Sequence, residues 1–168
     1  MKAIWLHGMG GSPNTEKIKV LESYGFEMYS LHLQYDKESF ALLKKYCLEN
    51  KIQFLVGSSH GGFLAFWLSE ELAIPCLLLN PAVSLRGKHK TKPQNMSRLE
   101  SPLCLVALGE KDEQIDYTRT LLFMEKDKRE GKEIFTKTWK GEGHGFSIKA
   151  FEEIVIWAKQ ILQHSLNL

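Results

Sequence analysis

The feature that most constrains this chain is the stretch Phe54-Leu55-Val56-Gly57-Ser58-Ser59-His60-Gly61-Gly62-Phe63. The apolar run Ile52 to Val56 has the length and bulk of a buried strand. A helical pattern that is apolar nearly all round runs from about His60 to Glu71, and such a helix is buried. Between the two lies Gly-x-Ser-x-Gly, with Ser59 at its centre. A strand, a sharp turn and a helix in that order can hold a serine hydroxyl strained and exposed. Gly57 and Gly61 fit the same bend, where a Cβ would collide with neighbouring backbone. A plain helix-capping role is the competing reading of Ser59.

The rest of the chain alternates in the same manner. Strands are expected over 3–6, 26–33, 52–56, 75–79, 103–108 and 134–139, and helices over 13–24, 38–48, 60–71, 116–126 and 148–162. Ser12 followed by Pro13 reads as the cap and first turn of the first helix. This alternation predicts a parallel sheet covered on both faces. In open sheets of that kind, ligands sit beyond the carboxyl ends of the strands. The loops there carry His7-Gly8-Met9, Ser59, Asp112 and His144.

A length of 168 residues predicts one domain, 1–168. The net charge of +2 is too small to indicate nucleic acid. Cys47, Cys76 and Cys104 lack metal-type spacing and read as small buried hydrophobes in a reducing compartment. The first residues lack the apolar core of a signal peptide, and no stretch is long enough to cross a bilayer. A cytoplasmic protein with no membrane span is expected. Gly8-Met9-Gly10-Gly11 follows a strand and opens a helix, as a nucleotide loop does. A dinucleotide fingerprint, however, needs glycine where Pro13 stands, and a P-loop needs Lys followed by Ser or Thr. No cofactor and no metal are expected.

A serine hydroxyl needs a base within reach, and the base needs an orienting group. Along the chain the candidates come as Ser59, Asp112, His144, with Asp116 and Glu113 as rival acids. Asp116 is better placed to cap the helix that follows it. These three, with Leu6-His7-Gly8, Gly57 to Gly62, Asn80-Pro81-Ala82-Val83, Gly109 to Glu113 and Gly143 to Phe146, resemble the α/β-hydrolase superfamily. More narrowly, the chain resembles the small, lidless YqiA-like esterases. The resemblance covers nearly the whole chain, which lacks the superfamily's early antiparallel strands and any large cap insertion. It implies an α/β fold of three layers, α/β/α, with a mostly or wholly parallel sheet of about six strands and no large cap domain.

The resemblance also implies a function: a serine hydrolase that cleaves carboxylic esters or thioesters through an acyl-enzyme on Ser59. His144 would be the base and Asp112 its orienting acid. The backbone N–H groups of Met9 and His60 would hold the oxyanion. The partner would be a small-molecule acyl ester or thioester. Two other readings stay open: a non-catalytic hydrolase-fold binding protein, and an amidase or peptidase. His7, Leu85 and Phe146 adjoin the site loops and are candidates for the substrate pocket, although the His7 ring is also expected to bond loop backbone. The His60 side chain either lines the pocket or faces solvent. Phe63, Phe66 and Trp67 are expected in the core. The loop 84–101, with Arg86, Lys88, His89, Lys90, Lys92 and Arg98, reads as solvated, or as a short flap that attracts an acidic substrate.

Overall fold

The computed structural model describes residues 1–36, 38–84, 102–127 and 133–165. Leu85 and the basic residues of the 84–101 loop lie outside these residues. Six strands form one sheet: β1 (Lys2–Leu6), β2 (Glu27–Ser30), β3 (Phe54–Ser58), β4 (Cys76–Leu79), β5 (Cys104–Gly109) and β6 (Ile134–Trp139). Their order is β2-β1-β3-β4-β5-β6, and all pairs are parallel. The helices are α1 (Thr15–Ser23), α2 (Ser39–Glu49), α3 (His60–Leu72), α4 (Tyr117–Asp127) and α5 (Ile148–Ser165).

Each face of the sheet has its own core, because side chains alternate along every strand. Ile4, Leu55, Leu78 and Val106 pack under α2, α3 and α4. Trp5, Phe54, Leu77 and Leu105 pack under α1 and α5 with Leu21, Phe151 and Ile154. Helix α3 is buried along almost its whole length, including Phe63, Phe66 and Trp67, as its all-round apolar pattern predicts. The three cysteines are free and buried, and burial pushes the Cys47 thiol up to about 12.

Two local expectations are corrected. The second strand ends at Ser30 rather than Leu33. Beyond it the chain leaves the sheet: the Leu33 N–H donates to His7 Nε2, and Tyr35, in a left-handed conformation (φ 57°), donates its hydroxyl to the His7 carbonyl. Leu33 and Tyr35 are buried there as loop residues, and an apolar Leu33 that is buried outside the sheet reads in sequence like the end of a strand. Helix α1 starts two residues later than expected, with Asn14 as its cap; Asn14 Oδ1 accepts from the Lys17 N–H at 3.0 Å.

At the amino edge of the sheet, three helices return to strands by one device. Gly25, Lys51 and Ala73 all have positive φ. The next residue then donates back into the last helical turn: Phe26 to Leu21, Ile52 to Cys47 and Ile74 to Ser69. This is the Schellman arrangement, which satisfies the final helix carbonyls.

Candidate active site

The nucleophile turn is as tight as its glycines require. Ser59 has φ 55° and ψ −117°, a strained backbone that a non-glycine residue holds only when its surroundings enforce it. The enforcement is visible. Ser59 N–H donates to the Leu79 carbonyl at 2.9 Å, and the Ser59 carbonyl accepts from Phe63 and Ala82. A Cβ on Gly61 would sit 2.1 Å from the Leu6 carbonyl oxygen, and one on Gly57 would sit 2.5 Å from that of Gly61. The close approach of β1, β3 and α3 therefore depends on glycine at both positions. Ser59 itself remains partly exposed.

Asp112 follows β5 in a turn. Its Oδ1 accepts from the Gln114 and Ile115 N–H groups at 2.8 and 2.9 Å. Its Oδ2 lies 2.7 Å from His144 Nδ1. The carboxylate can only accept there, so Nδ1 carries the proton, and in the neutral ring Nε2 has the lone pair. The Asp112 side chain is wholly buried, whereas that of His144 is 20% exposed. Asp116, the rival acid, is exposed and accepts from the Thr118 N–H and hydroxyl at the start of α4. Its carboxyl is held below the usual range first by the Thr118 hydroxyl. Glu113 is exposed as well.

Ser59 and His144 line one cleft of about 360 Å³, together with His7, Gly8 and Met9 on one side and Gln114 on another. Gly8 lies against the nucleophile: a Cβ built on it would be 3.8 Å from Ser59 Oγ. Among the described residues the ring of His144 is bonded to Asp112 and not to Ser59. Such contacts commonly tighten only in the substrate complex. Met9 is 64% exposed at the rim, and His60 opens α3 directly after Ser59.

Of the predicted pocket residues, His7 lines the cleft. The His7 ring is buried; its Nε2 accepts from Leu33, so Nδ1 donates to the Gly8 carbonyl at 2.7 Å. Both nitrogens are therefore committed to holding the 7–11 loop. The His60 side chain neither lines the cleft nor faces solvent. It is 3% exposed, stacked on Phe63 and edge-on to Tyr35. Phe146, with a left-handed backbone (φ 48°), is buried against Trp139 in the α5-side core rather than in the cleft. Leu85 falls outside the described residues.

Two buried residues organise the site in roles the sequence does not announce. Asn80, 1% exposed, ends β4. Its side-chain amide donates to the Gly143 and His144 carbonyls at 3.0 and 2.9 Å, and its oxygen accepts from the Gly109 N–H at 2.8 Å. One side chain thus clamps the loop that carries Asp112 to the loop that carries His144. Lys17, 6% exposed, donates from Nζ to the Gly145 carbonyl. Among the described residues no group of His, Cys, Asp and Glu side chains could hold a metal ion, and no helix is long and apolar enough to cross a membrane.

Comparison with known proteins agrees with this architecture. The chain is similar to the monoacylglycerol lipase of Paleococcus ferrophilus, with TM-score 0.74 and 14% identity over 98% of this chain and 95% of that one. It is similar to esterase 2 of Thermogutta terrifontis, in a structure phosphorylated by paraoxon, with TM-score 0.68 and 16% identity over 97% and 82%. A Xanthomonas campestris protein, described as a hydrolase of the alpha/beta superfamily, gives TM-score 0.62 and 16% identity over 96% and 99%. At such identities the likeness concerns the fold, which is the α/β-hydrolase fold. A sequence model of one family matches residues 2–95, more than half of the 168 residues, and on that match this α/β-hydrolase chain belongs to the uncharacterised protein family UPF0227.

Proposed function

We propose that the protein is a serine hydrolase of carboxylic esters or thioesters, working through an acyl-enzyme on Ser59. The observation that carries this reading is the 2.7 Å bond between buried Asp112 and His144, at the wall of the cleft that also exposes a strained Ser59. His144 Nε2 takes the Ser59 proton as Oγ attacks the acyl carbonyl. The tetrahedral oxyanion is held by the backbone N–H groups of Met9 and His60, each worth about 3 kcal/mol in sites of this type. His144 then protonates the leaving alcohol or thiol, and a water molecule hydrolyses the acyl-enzyme by the same route in reverse. Asp112 keeps the ring in the required tautomer and stabilises its positive charge. The positive end of α3 points at the same spot. The lipase and esterase neighbours support the reaction class, and the paraoxon-modified neighbour supports an activated nucleophile.

A fluorophosphonate probe tests this directly. The native protein should be labelled at Ser59, the label should vanish in Ser59→Ala, and it should weaken strongly in His144→Ala. A folded native protein that stays unlabelled would instead be a binding protein. Matched ester and amide substrates separate an esterase from an amidase. The cleft is open among the described residues, so short and medium acyl chains should be preferred; a preference for long chains in a substrate panel would contradict this.

A further inference from the structure

We propose that Lys17 makes the cleft selective for acyl compounds bearing a second, anionic group, a carboxylate or a phosphate. This rests on the Ser59 reading and adds the substrate class to it. Lys17 stands on the first turn of α1 and lines the same cleft as Ser59 and His144. It is the one side chain of fixed charge among the described lining residues, and none of those residues is Asp or Glu.

An ammonium has three donors, and the Gly145 carbonyl takes one. Among the described residues Lys17 forms no ion pair. The acidic group whose charge acts on Lys17 is Glu142, and its carboxylate is engaged by the Ser147 N–H and hydroxyl at 2.7 and 2.8 Å. The Phe151 ring, 5.6 Å from Nζ, supplies only a partial counterpart. A buried charge without a full partner is costly, and burial accordingly holds the Lys17 ammonium below the ordinary lysine range, with Glu142 acting the other way. An anion entering the cleft removes that cost. The positive end of α1, capped by Asn14 on the same wall, adds to the attraction. A lysine needed only to pin the Gly145 loop would contribute equally to every substrate, and that difference makes the proposal testable.

The experiment uses two matched pairs. One is 4-nitrophenyl hexanoate against the half-ester 4-nitrophenyl hydrogen adipate. The other is an S-acyl pantetheine against its S-acyl phosphopantetheine counterpart, which differs from it only by the phosphate. At least one anionic member should be favoured in kcat/KM, the preference should shrink as salt rises, and Lys17→Met should reduce it about tenfold or more. The pair that responds identifies carboxylate or phosphate. Preference for the neutral member in both pairs overturns the proposal, as does an equal loss on both members in Lys17→Met. Should Lys17→Met fail to fold, Lys17→Gln and the salt dependence of the native enzyme give the same decision. Titration of Trp fluorescence with free adipate and with inorganic phosphate reads anion binding without turnover. Failure of the Ser59 reading would appear separately, as absence of fluorophosphonate labelling in a protein that still binds the anion through Lys17.

Discussion

The two edges of the sheet carry the same backbone feature for opposite reasons. At the amino edge, Gly25, Lys51 and Ala73 adopt positive φ, and short-range backbone bonds satisfy each turn: Phe26 to Leu21, Ile52 to Cys47, Ile74 to Ser69. At the carboxyl edge, Ser59, Asn80 and Phe146 also adopt positive φ, but their surroundings come from distant parts of the chain. Asn80 reaches the Gly109, Gly143 and His144 backbone, and Lys17 reaches Gly145. The hollow at the amino edge is lined by Met1, Phe26 and Leu162 among others, with mostly apolar surface. The cleft at the carboxyl edge mixes Ser59, His144, Lys17 and Gln114. Unfavourable backbone at one edge punctuates helices; at the other it aims polar groups. Substitutions that remove it should therefore help at the first edge and harm at the second.

The largest effect is expected at Ser59 and His144. Alanine at either should lower acyl-ester hydrolysis by about 10⁴ to 10⁶ while the melting temperature stays close to that of the native protein; initial rates and a thermal scan check both halves. Next comes Gly61→Ala. The added methyl overlaps the Leu6 carbonyl, and the loss should be at least about 3 kcal/mol, read as a lowered denaturant midpoint or no soluble protein. Asn80→Ala should cost about 2–4 kcal/mol by stranding two carbonyls and one N–H, and should lower kcat at temperatures where the protein is folded. Asn80→Asp sharpens the point: it keeps the acceptor for Gly109 but sets a buried carboxylate against the Gly143 and His144 carbonyls, so fluorophosphonate labelling should be lost and stability should fall at least as far as in Asn80→Ala. The smallest effect is expected at the other edge. Ala73→Gly relieves a left-handed alanine and should raise stability by about 0.5 kcal/mol, measured by urea unfolding. A destabilised Ala73→Gly would break the contrast between the edges.

Much of this arrangement is legible in the residues. Gly57, Ser59 and Gly61 announce the nucleophile turn because they stand between an apolar strand and an apolar helix. The apolar strands and the uniformly apolar α3 announce a sheet covered on both faces. What escapes is decided by partners far along the chain. Lys17 sits between Glu16 and Ile18, close to Lys19, and reads as a solvated helix residue; only the approach of Gly145 and Phe151 buries it. Asn80 was part of a matching motif but had no visible role, since its partners lie 29, 63 and 64 positions away. The His60 ring belongs to an aromatic cluster with Tyr35, a loop residue just beyond the expected strand 26–33. Asp116 was separable from Asp112 because capping is local and follows from spacing.

Strand β1 lies between β2 and β3, so it is synthesised before either neighbour exists. Lys2 must wait for Glu27 and Leu6 for Gly57. The interior of the sheet consequently cannot assemble in step with translation, and the first strand stays exposed until some fifty further residues have emerged. Since the Leu6 carbonyl also abuts Gly61, the pairing of β1 with β3 is also what closes the serine turn, and reactivity should appear in refolding no earlier than protection of the β1 amides.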